Sequence, residues 1–285
     1  MTTMDTSQAT AAASGNAATE RFSLDKSAFA KVKDTPVERV DMLAREVLDA
    51  VHATIRRHRV SYDEYNALKA WLIQVGADGE WPLFLDVWVE HVIEEVATSG
   101  RQGNKGSIEG PYYVPDAPER GARGAVPMRP EEKGRPLVWQ GTITGTDGKP
   151  LAGKVELWHA DSDGFYSQYA PGLPEWNLRG TFCTGADGRF EITTIRPAPY
   201  QIPTDGACGK LIAAAGWHAW RPAHLHVKVS APGHELLTAQ LYFPGDPHND
   251  DDVATAVKPE LMLNPMEQPD GSFTLRYDFV LDPGV

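Results

Sequence analysis

The chain has 285 residues and a formal charge of −12, from 27 Lys and Arg against 39 Asp and Glu. Its basic residues do not cluster, which argues against nucleic acid and against anionic membrane surfaces as partners. No apolar run approaches the roughly 18–20 residues that span a bilayer, the start MTTMDTSQATAAASGNAATE has neither a basic n-region nor an apolar h-region, and the only cysteines are Cys183 and Cys208, so the expectation is a globular, cytoplasmic protein with reduced thiols.

Residues 1–34, rich in Ala, Ser and Thr, read as a disordered or irregular tail. Helical grammar follows over 35–104. Thr35, Pro36 and Glu38 have the pattern of an N-cap, a first-turn proline and an N3 acid. Val40, Leu43, Val47, Val51 and Ile55 then recur at spacings of three and four, giving one apolar face. Ser61 and Glu64 form a second capping-box pattern, opening a helix to about Val75. Gly76 and Gly79 break the chain, and a third helix is predicted from Pro82 through Leu83, Val87 and His91 to about Ala97.

The grammar turns to β after about residue 135. LVWQGTITGTDGKPLAG alternates around a turn, and KVELWHAD is a strand. TFCTGADGRFEITTI reads as a hairpin with Asp187-Gly188 at its tip. HLHVKVSAPG and LLTAQLYFPG are further strands, and SFTLRYDFVL closes the chain in period two. The predicted fold class is α+β: an N-terminal helical region packed on a mostly antiparallel β-sandwich. Residues 35–104 form the helical region and 105–285 the sandwich.

One strand raises a chemical question. In RPAHLHVKVSAPG, His224 and His226 lie two residues apart, so they share a strand face while Leu225 and Val227 take the other. Two imidazoles converging from one face suit a transition metal. No cysteine neighbours them and no HExxH is present, which removes the common zinc sets. A carboxylate from the run Asp246…Asp250-Asp251-Asp252 would complete a two-His-one-carboxylate set, although such a run usually lies in a solvated loop. Tyr166, in DSDGFYSQY, and Tyr200, in RPAPY, stand where strands give way to loops, where sites on β-scaffolds are built. A phenolate is a hard anionic donor with an ordinary pKa near 10, so only a strongly acidic cation such as Fe(III) deprotonates it at neutral pH. A sandwich with a helical cap also suits a binding module in which both histidines are structural, and metal content separates the two readings.

Six segments resemble the intradiol ring-cleaving dioxygenases in order and spacing: Ile108-Glu109-Gly110-Pro111-Tyr112-Tyr113, VELWHADSDGFYS, NLRGTF, IRPAPYQIPTDG, RPAHLHVKVSAPG and LTAQLYFPGD. The likeness runs from about residue 37 to 282, and GEWPLFLDVWVEH is most similar to the catechol 1,2-dioxygenases of the actinobacterial type. The resemblance implies that Tyr166, Tyr200, His224 and His226 hold one non-haem Fe(III) per subunit, with Tyr200 and His226 axial. It implies that Arg221 and Gln240 stand beside the iron, and that Tyr200 also accepts a substrate proton. Leu85, Asp86, Ile108, Pro111, Tyr112, Val253 and Ala254 fall where the family lines its ring pocket. The implied reaction is cleavage of catechol by O2 to cis,cis-muconate in aromatic-compound degradation by the β-ketoadipate route, with chlorocatechol or hydroxyquinol as the alternative substrate. The implied partners are catechol, O2 and a second copy of the chain, with a phospholipid at the helical interface. Thr238-Ala239-Gln240 departs from the family's usual Thr-Thr-Gln but keeps the Gln.

Overall fold

The computed structural model describes residues 35–284, so the expected tail over 1–34 lies outside the described residues. The helical part opens with α1 (Val37–His58). Its N-cap is Pro36, with no side-chain cap. That places Glu38 at N2, out of register with Thr35, so the first capping box does not form. The second does, ahead of α2 (Tyr62–Ala77): the Glu64 N–H donates to Ser61 Oγ at 3.2 Å, and the Ser61 N–H to Glu64 Oε2 at 2.7 Å.

The predicted third helix is two helices, α3 (Trp81–Trp88) and α4 (Glu90–Thr98). Val89 between them has φ −126°, ψ −39°, outside the helical well. The break leaves Leu83 and Val87 buried, while Glu90 accepts the N–H groups of Glu109 and Gly110 at 2.7 and 3.3 Å. The apolar stripe of α1 exists as expected but is uncovered in the single chain: Val47 is 63% exposed and Val51 48%. The chain divides into two compact units between Trp81 and Pro82. Among the described residues no helix is long and apolar enough to cross a membrane.

The second unit contains two packed sheets. Its strands are β1 (Glu119–Arg120), β2 (Arg123–Ala125), β3 (Pro136–Gly145), β4 (Lys154–Trp158), β5 (Arg179–Cys183), β6 (Arg189–Ile195), β7 (Tyr200–Gln201), β8 (Trp220–Arg221), β9 (His224–Ser230), β10 (Leu237–Tyr242), β11 (Met266–Glu267), β12 (Phe273–Arg276) and β13 (Phe279–Leu281). One sheet runs β1-β5-β4-β9-β10, the other β11-β12-β3-β6-β2 with β13 also on β3, and β7 and β8 form a separate ribbon. The long pairs are antiparallel, while β1–β5, β2–β6, β12–β3 and β13–β3 are parallel. Leu137, Trp139, Val155, Leu157, Ile192, Leu225 and Val227 belong to one buried cluster drawn from both sheets. Period-two burial along β3 and β6 is the physical signature of a strand with one face in this core.

Two β expectations are corrected. The segments TFC and RFEITTI do not form a hairpin: β5 lies between β1 and β4, whereas β6 pairs with β3 and β2 in the other sheet. The Asp187-Gly188 turn therefore carries the chain from one layer to the other, and local turn chemistry does not report which strand pairs with which. SFTLRYDFVL keeps its expected alternation but is divided around Tyr277 and Asp278 into two strands, both paired with β3; a Cβ on Gly141 would stand 2.2 Å from the Tyr277 carbonyl oxygen, an approach that only glycine permits. A helix not anticipated, α5 (Ala207–Ala215), follows β7 and ends at Gly216 in the left-handed region. Cys183 and Cys208 are not joined by a disulfide.

Candidate metal centre

Strand β9 lies between β4 and β10, pairing His226 with Trp158 on one side and Gln240 on the other, and His224 with Tyr242. Leu225 and Val227 enter the core cluster, and the opposite face holds both histidines, each buried. The His224 Nδ1–H donates to the Pro222 carbonyl at 2.7 Å. That bond fixes the tautomer and leaves the Nε2 lone pair directed into the site. The Trp158 ring stacks on His226 at 4.8 Å, fixing its plane.

Tyr166 arrives on the turn after β4. The Asp161 carboxylate accepts the N–H groups of Asp163 and Phe165 at 3.0 and 2.9 Å and is paired with Arg129 at 3.0 Å. Gly164, at φ +88°, turns the chain so that Tyr166 points inward. Arg179, buried, donates to Ser167 Oγ and to the Tyr112 carbonyl, both at 2.8 Å, tying the residue after Tyr166 to the 108–113 segment. Tyr200 arrives on the ribbon β7–β8, directly paired with Arg221.

These elements bring the four predicted donors together. Tyr166 Oη lies 3.1 Å from His226 Nε2 and 3.5 Å from His224 Nε2, and the two Nε2 atoms are 3.0 Å apart. The Tyr200 ring centroid is 5.5 Å from those of both Tyr166 and His224. Burial holds His224 down to about 3 and His226 well below its ordinary value, so both imidazoles are neutral at pH 7. Burial raises both phenols. The Arg221 charge works against that rise at Tyr200. Two neutral nitrogens and two phenols costly to ionise alone would suit a strongly acidic cation. The distances agree, since two ligands each about 2.0–2.2 Å from one cation lie roughly 3.0–3.6 Å apart. The residues present therefore fit a metal ion. Among the described residues there is no His, Cys, Asp and Glu cluster of three or more suited to a metal, so a carboxylate-completed set is not seen.

Around the donors runs a buried polar network. Arg221 Nη2 donates to Gln240 Oε1 at 2.8 Å, Tyr242 Oη donates to the same oxygen at 2.8 Å, and Gln240 Nε2 donates to the Ile108 carbonyl at 3.0 Å. Asp252 binds Arg221 through both carboxylate oxygens at 3.0 Å. Burial, the largest single effect, would weaken the guanidinium, but the charge and hydrogen bond of Asp252 together with the Tyr200 and Tyr242 phenols outweigh it and keep Arg221 cationic. Asp252 corrects the reading of the acidic run as a solvated loop: Asp250 and Asp251 are exposed, whereas Asp252 is buried. No local signal in Asp250-Asp251-Asp252 separates the buried acid from its neighbours. Asp161, Gly164 and Arg179 are likewise not legible from the motifs, since each acts through contacts that the sequence pattern alone does not reveal. His159, bonded to the Ala160 carbonyl at 2.7 Å and Thr194 Oγ1 at 2.6 Å, is structural.

Of the pocket candidates, Ile108, Pro111, Tyr112 and Ala254 are buried. Tyr112 stacks on Tyr166 at 4.4 Å and meets Tyr200 edge-on at 6.4 Å. Val253 is half-buried, on the turn that follows Asp252. Asp86 is half-buried on α3, and burial together with Glu90 and Glu109 raises it to about 7. Leu85 is 45% exposed, while Leu83 and Val87 on the same helix are buried, so Leu85 lies on the outward side of α3.

Comparison with known proteins identifies the family. A family model described as Dioxygenase matches residues 108–283, and one described as Catechol dioxygenase N terminus matches residues 38–105. The chain is 39% identical to a chlorocatechol 1,2-dioxygenase of Rhodococcus opacus, over 79% of this chain and 89% of that protein. It is 36% identical to a catechol 1,2-dioxygenase of Acinetobacter baylyi, over 81% of this chain and 78% of that protein. The crystal structure of a 3-chlorocatechol 1,2-dioxygenase from Rhodococcus opacus superposes with a TM-score of 0.84 at 44% identity, covering 87% of this chain and all of that one. The chain belongs to the intradiol ring-cleaving dioxygenases, and it is an enzyme of that class.

Proposed function

We propose that the chain cleaves catechol between its two hydroxyl-bearing carbons, with O2, to cis,cis-muconate, using one ferric ion held by Tyr166, Tyr200, His224 and His226. The observation that carries this reading is the meeting of Tyr166 Oη, His224 Nε2 and His226 Nε2 within 3.5 Å of one another, with Tyr200 beside them. Ferric iron, when bound, supplies a Lewis acid that accepts a diol and makes its ring reactive toward O2.

The chain's own groups do the rest. Tyr200 Oη takes one proton from the incoming diol, and its buried setting favours the neutral phenol that results. Arg221, a cation paired with Asp252, stabilises the negative charge that develops on the ring oxygens. Gln240 fixes Arg221 from its second side and ties it to the Ile108 carbonyl. Ile108, Pro111, Tyr112 and Ala254 are buried and largely apolar, which supports their contact with a flat ring away from water.

A second reading, a chlorinated catechol as the preferred ring, is favoured by the names of the relatives: chlorocatechol 1,2-dioxygenases match at 34–39% identity. Specificity constants for catechol, 4-chlorocatechol and hydroxyquinol, read by ultraviolet absorbance of the ring-opened product, decide between them. Highest kcat/KM for catechol supports the first reading, highest for 4-chlorocatechol supports the second, and absence of any ring-opened product overturns both.

The exposed stripe of α1, including Val40, Val47 and Val51, supports assembly with a second copy of the chain. The apolar side chains Leu68, Leu72 and Ile73 of α2 line a groove, and a phospholipid chain would suit it. Light scattering at micromolar concentration should give the mass of a dimer; a monomer contradicts this.

A further inference from the structure

Asp252 does more in this fold than neutralise Arg221. Its two carboxylate oxygens accept four N–H groups in two matched pairs. Oδ1 takes Arg221 Nε at 3.0 Å and the Ala254 N–H at 3.2 Å; Oδ2 takes Arg221 Nη2 at 3.0 Å and the Ala256 N–H at 3.1 Å. Each oxygen thus joins the arginine to the backbone of the 253–256 turn. The turn is otherwise anchored on three sides. The Val253 N–H donates to the Trp220 carbonyl at 3.1 Å, the Thr255 N–H to the Asp252 carbonyl at 2.8 Å, and Ser107 Oγ to the Ala256 carbonyl at 3.1 Å. Thr255 sits at φ +51°, a conformation that a β-branched residue keeps only when its surroundings impose it.

The two ends of this linkage have different tasks. Arg221 is paired with Tyr200 across the β7–β8 ribbon and reaches Gln240, so its place fixes where positive charge meets the reacting diol. Val253 and Ala254 lie on the turn, in the stretch expected to face ring substituents. A single carboxylate sets the distance between them. Lengthening it by one methylene displaces one end by about 1.5 Å, and a misplacement of about 1 Å at a reacting centre costs on the order of a hundredfold in rate.

We propose that Asp252 is a positioning residue that sets turnover and ring-substituent preference together, by holding Arg221 and the 253–256 turn in one register. The proposal rests on the dioxygenase reading of the site. An ion pair that only stabilised the fold would lower stability without changing the ratio of specificity constants for two rings.

The test uses the iron-loaded full chain as wild type, Asp252→Glu, Asp252→Asn and the exposed neighbour Asp250→Asn. Iron content, melting temperature and the dissociation constant of 4-nitrocatechol without oxygen accompany kcat and KM for catechol and 4-chlorocatechol. Asp252→Glu, which keeps the charge, is expected to bind iron, to lose about thirtyfold or more in kcat/KM for catechol, and to change the 4-chlorocatechol to catechol ratio severalfold. Its 4-nitrocatechol dissociation constant should move with that ratio, and Asp250→Asn should match wild type. A folded, iron-loaded Asp252→Glu with an unchanged ratio overturns the proposal. Should neither Asp252 variant fold, Arg221→Lys serves: it keeps a cation but gives up the paired bonds to Asp252. A changed ratio there supports the linkage, and an unchanged one overturns it. A wild-type chain that cleaves neither diol overturns the dioxygenase reading itself, and the proposal with it.

Discussion

Gly164 and Tyr200 touch: a Cβ placed on Gly164 would stand 2.8 Å from the Tyr200 Cβ. The two loops that deliver the phenols are therefore packed against each other at a point where no side chain fits. Gly164 also has φ +88°, where an L-residue is strained. Gly164→Ala is expected to cost about 1–3 kcal/mol in stability and to pull Tyr166 and Tyr200 apart. Urea unfolding reads the first effect and retained iron after dialysis the second. Wild-type values of both would mean that the loops part without consequence.

The Arg221–Asp252 pair is buried at both ends. Removing one partner leaves the other charge uncompensated, which costs about 3–5 kcal/mol. Arg221→Leu should therefore lower the urea midpoint sharply. Arg221→Leu with Asp252→Leu should recover part of the loss, because no lone charge is left behind. A single variant as stable as the double one would contradict this.

Asp86 gives a pH signature. Its folded-state pKa is raised to about 7, by burial first and by the charges of Glu90 and Glu109 next. Glu109 also faces Lys228, and Arg221 acts on Glu90. Between about pH 4 and pH 7 the folded chain keeps a proton that the unfolded chain has released, so this group's contribution to stability falls as pH rises across that window and stays low above it. Asp86→Asn should be more stable than wild type at pH 8, with the gain shrinking toward pH 4. Melting temperatures at the two pH values check it, and an equal gain at both would refute the assignment.

The four donors should not contribute alike to a control. His224→Ala and Tyr166→Phe are each expected to lower iron per chain more than tenfold after dialysis against a chelator, since even an outer-shell change commonly costs ten- to a hundredfold in affinity. His52→Ala, on the exposed surface of α1, should leave iron unchanged. Full iron in the His224 variant would remove that residue from the site.

The residues that the sequence made legible are those whose side chains carry the chemistry. His224 and His226 share a face because a strand alternates, and Leu225 and Val227 enter the core for the same reason. Ser61 and Glu64 cap a helix because both bonds are local. Non-local events were hidden. Asp187-Gly188 has hairpin chemistry, yet β5 and β6 find partners in different sheets, since pairing is decided by the whole sandwich. Val89 breaks a helix whose periodicity runs on through it. Asp252 is distinguished from Asp250 and Asp251 by its ion pair with Arg221, 31 positions earlier in the chain, which the acidic run itself does not announce.

The most direct test of the iron-tyrosinate site is a visible spectrum of the purified, iron-loaded chain, taken alone, then with catechol under anaerobic conditions, then after air is admitted. The account predicts a tyrosinate-to-Fe(III) charge-transfer band that moves to longer wavelength with catechol and returns on aeration while ultraviolet absorbance of muconate grows. A chain that stays colourless after ferrous iron is added and oxidised would contradict it, leaving His224, His226, Tyr166 and Tyr200 as a buried polar cluster without a metal.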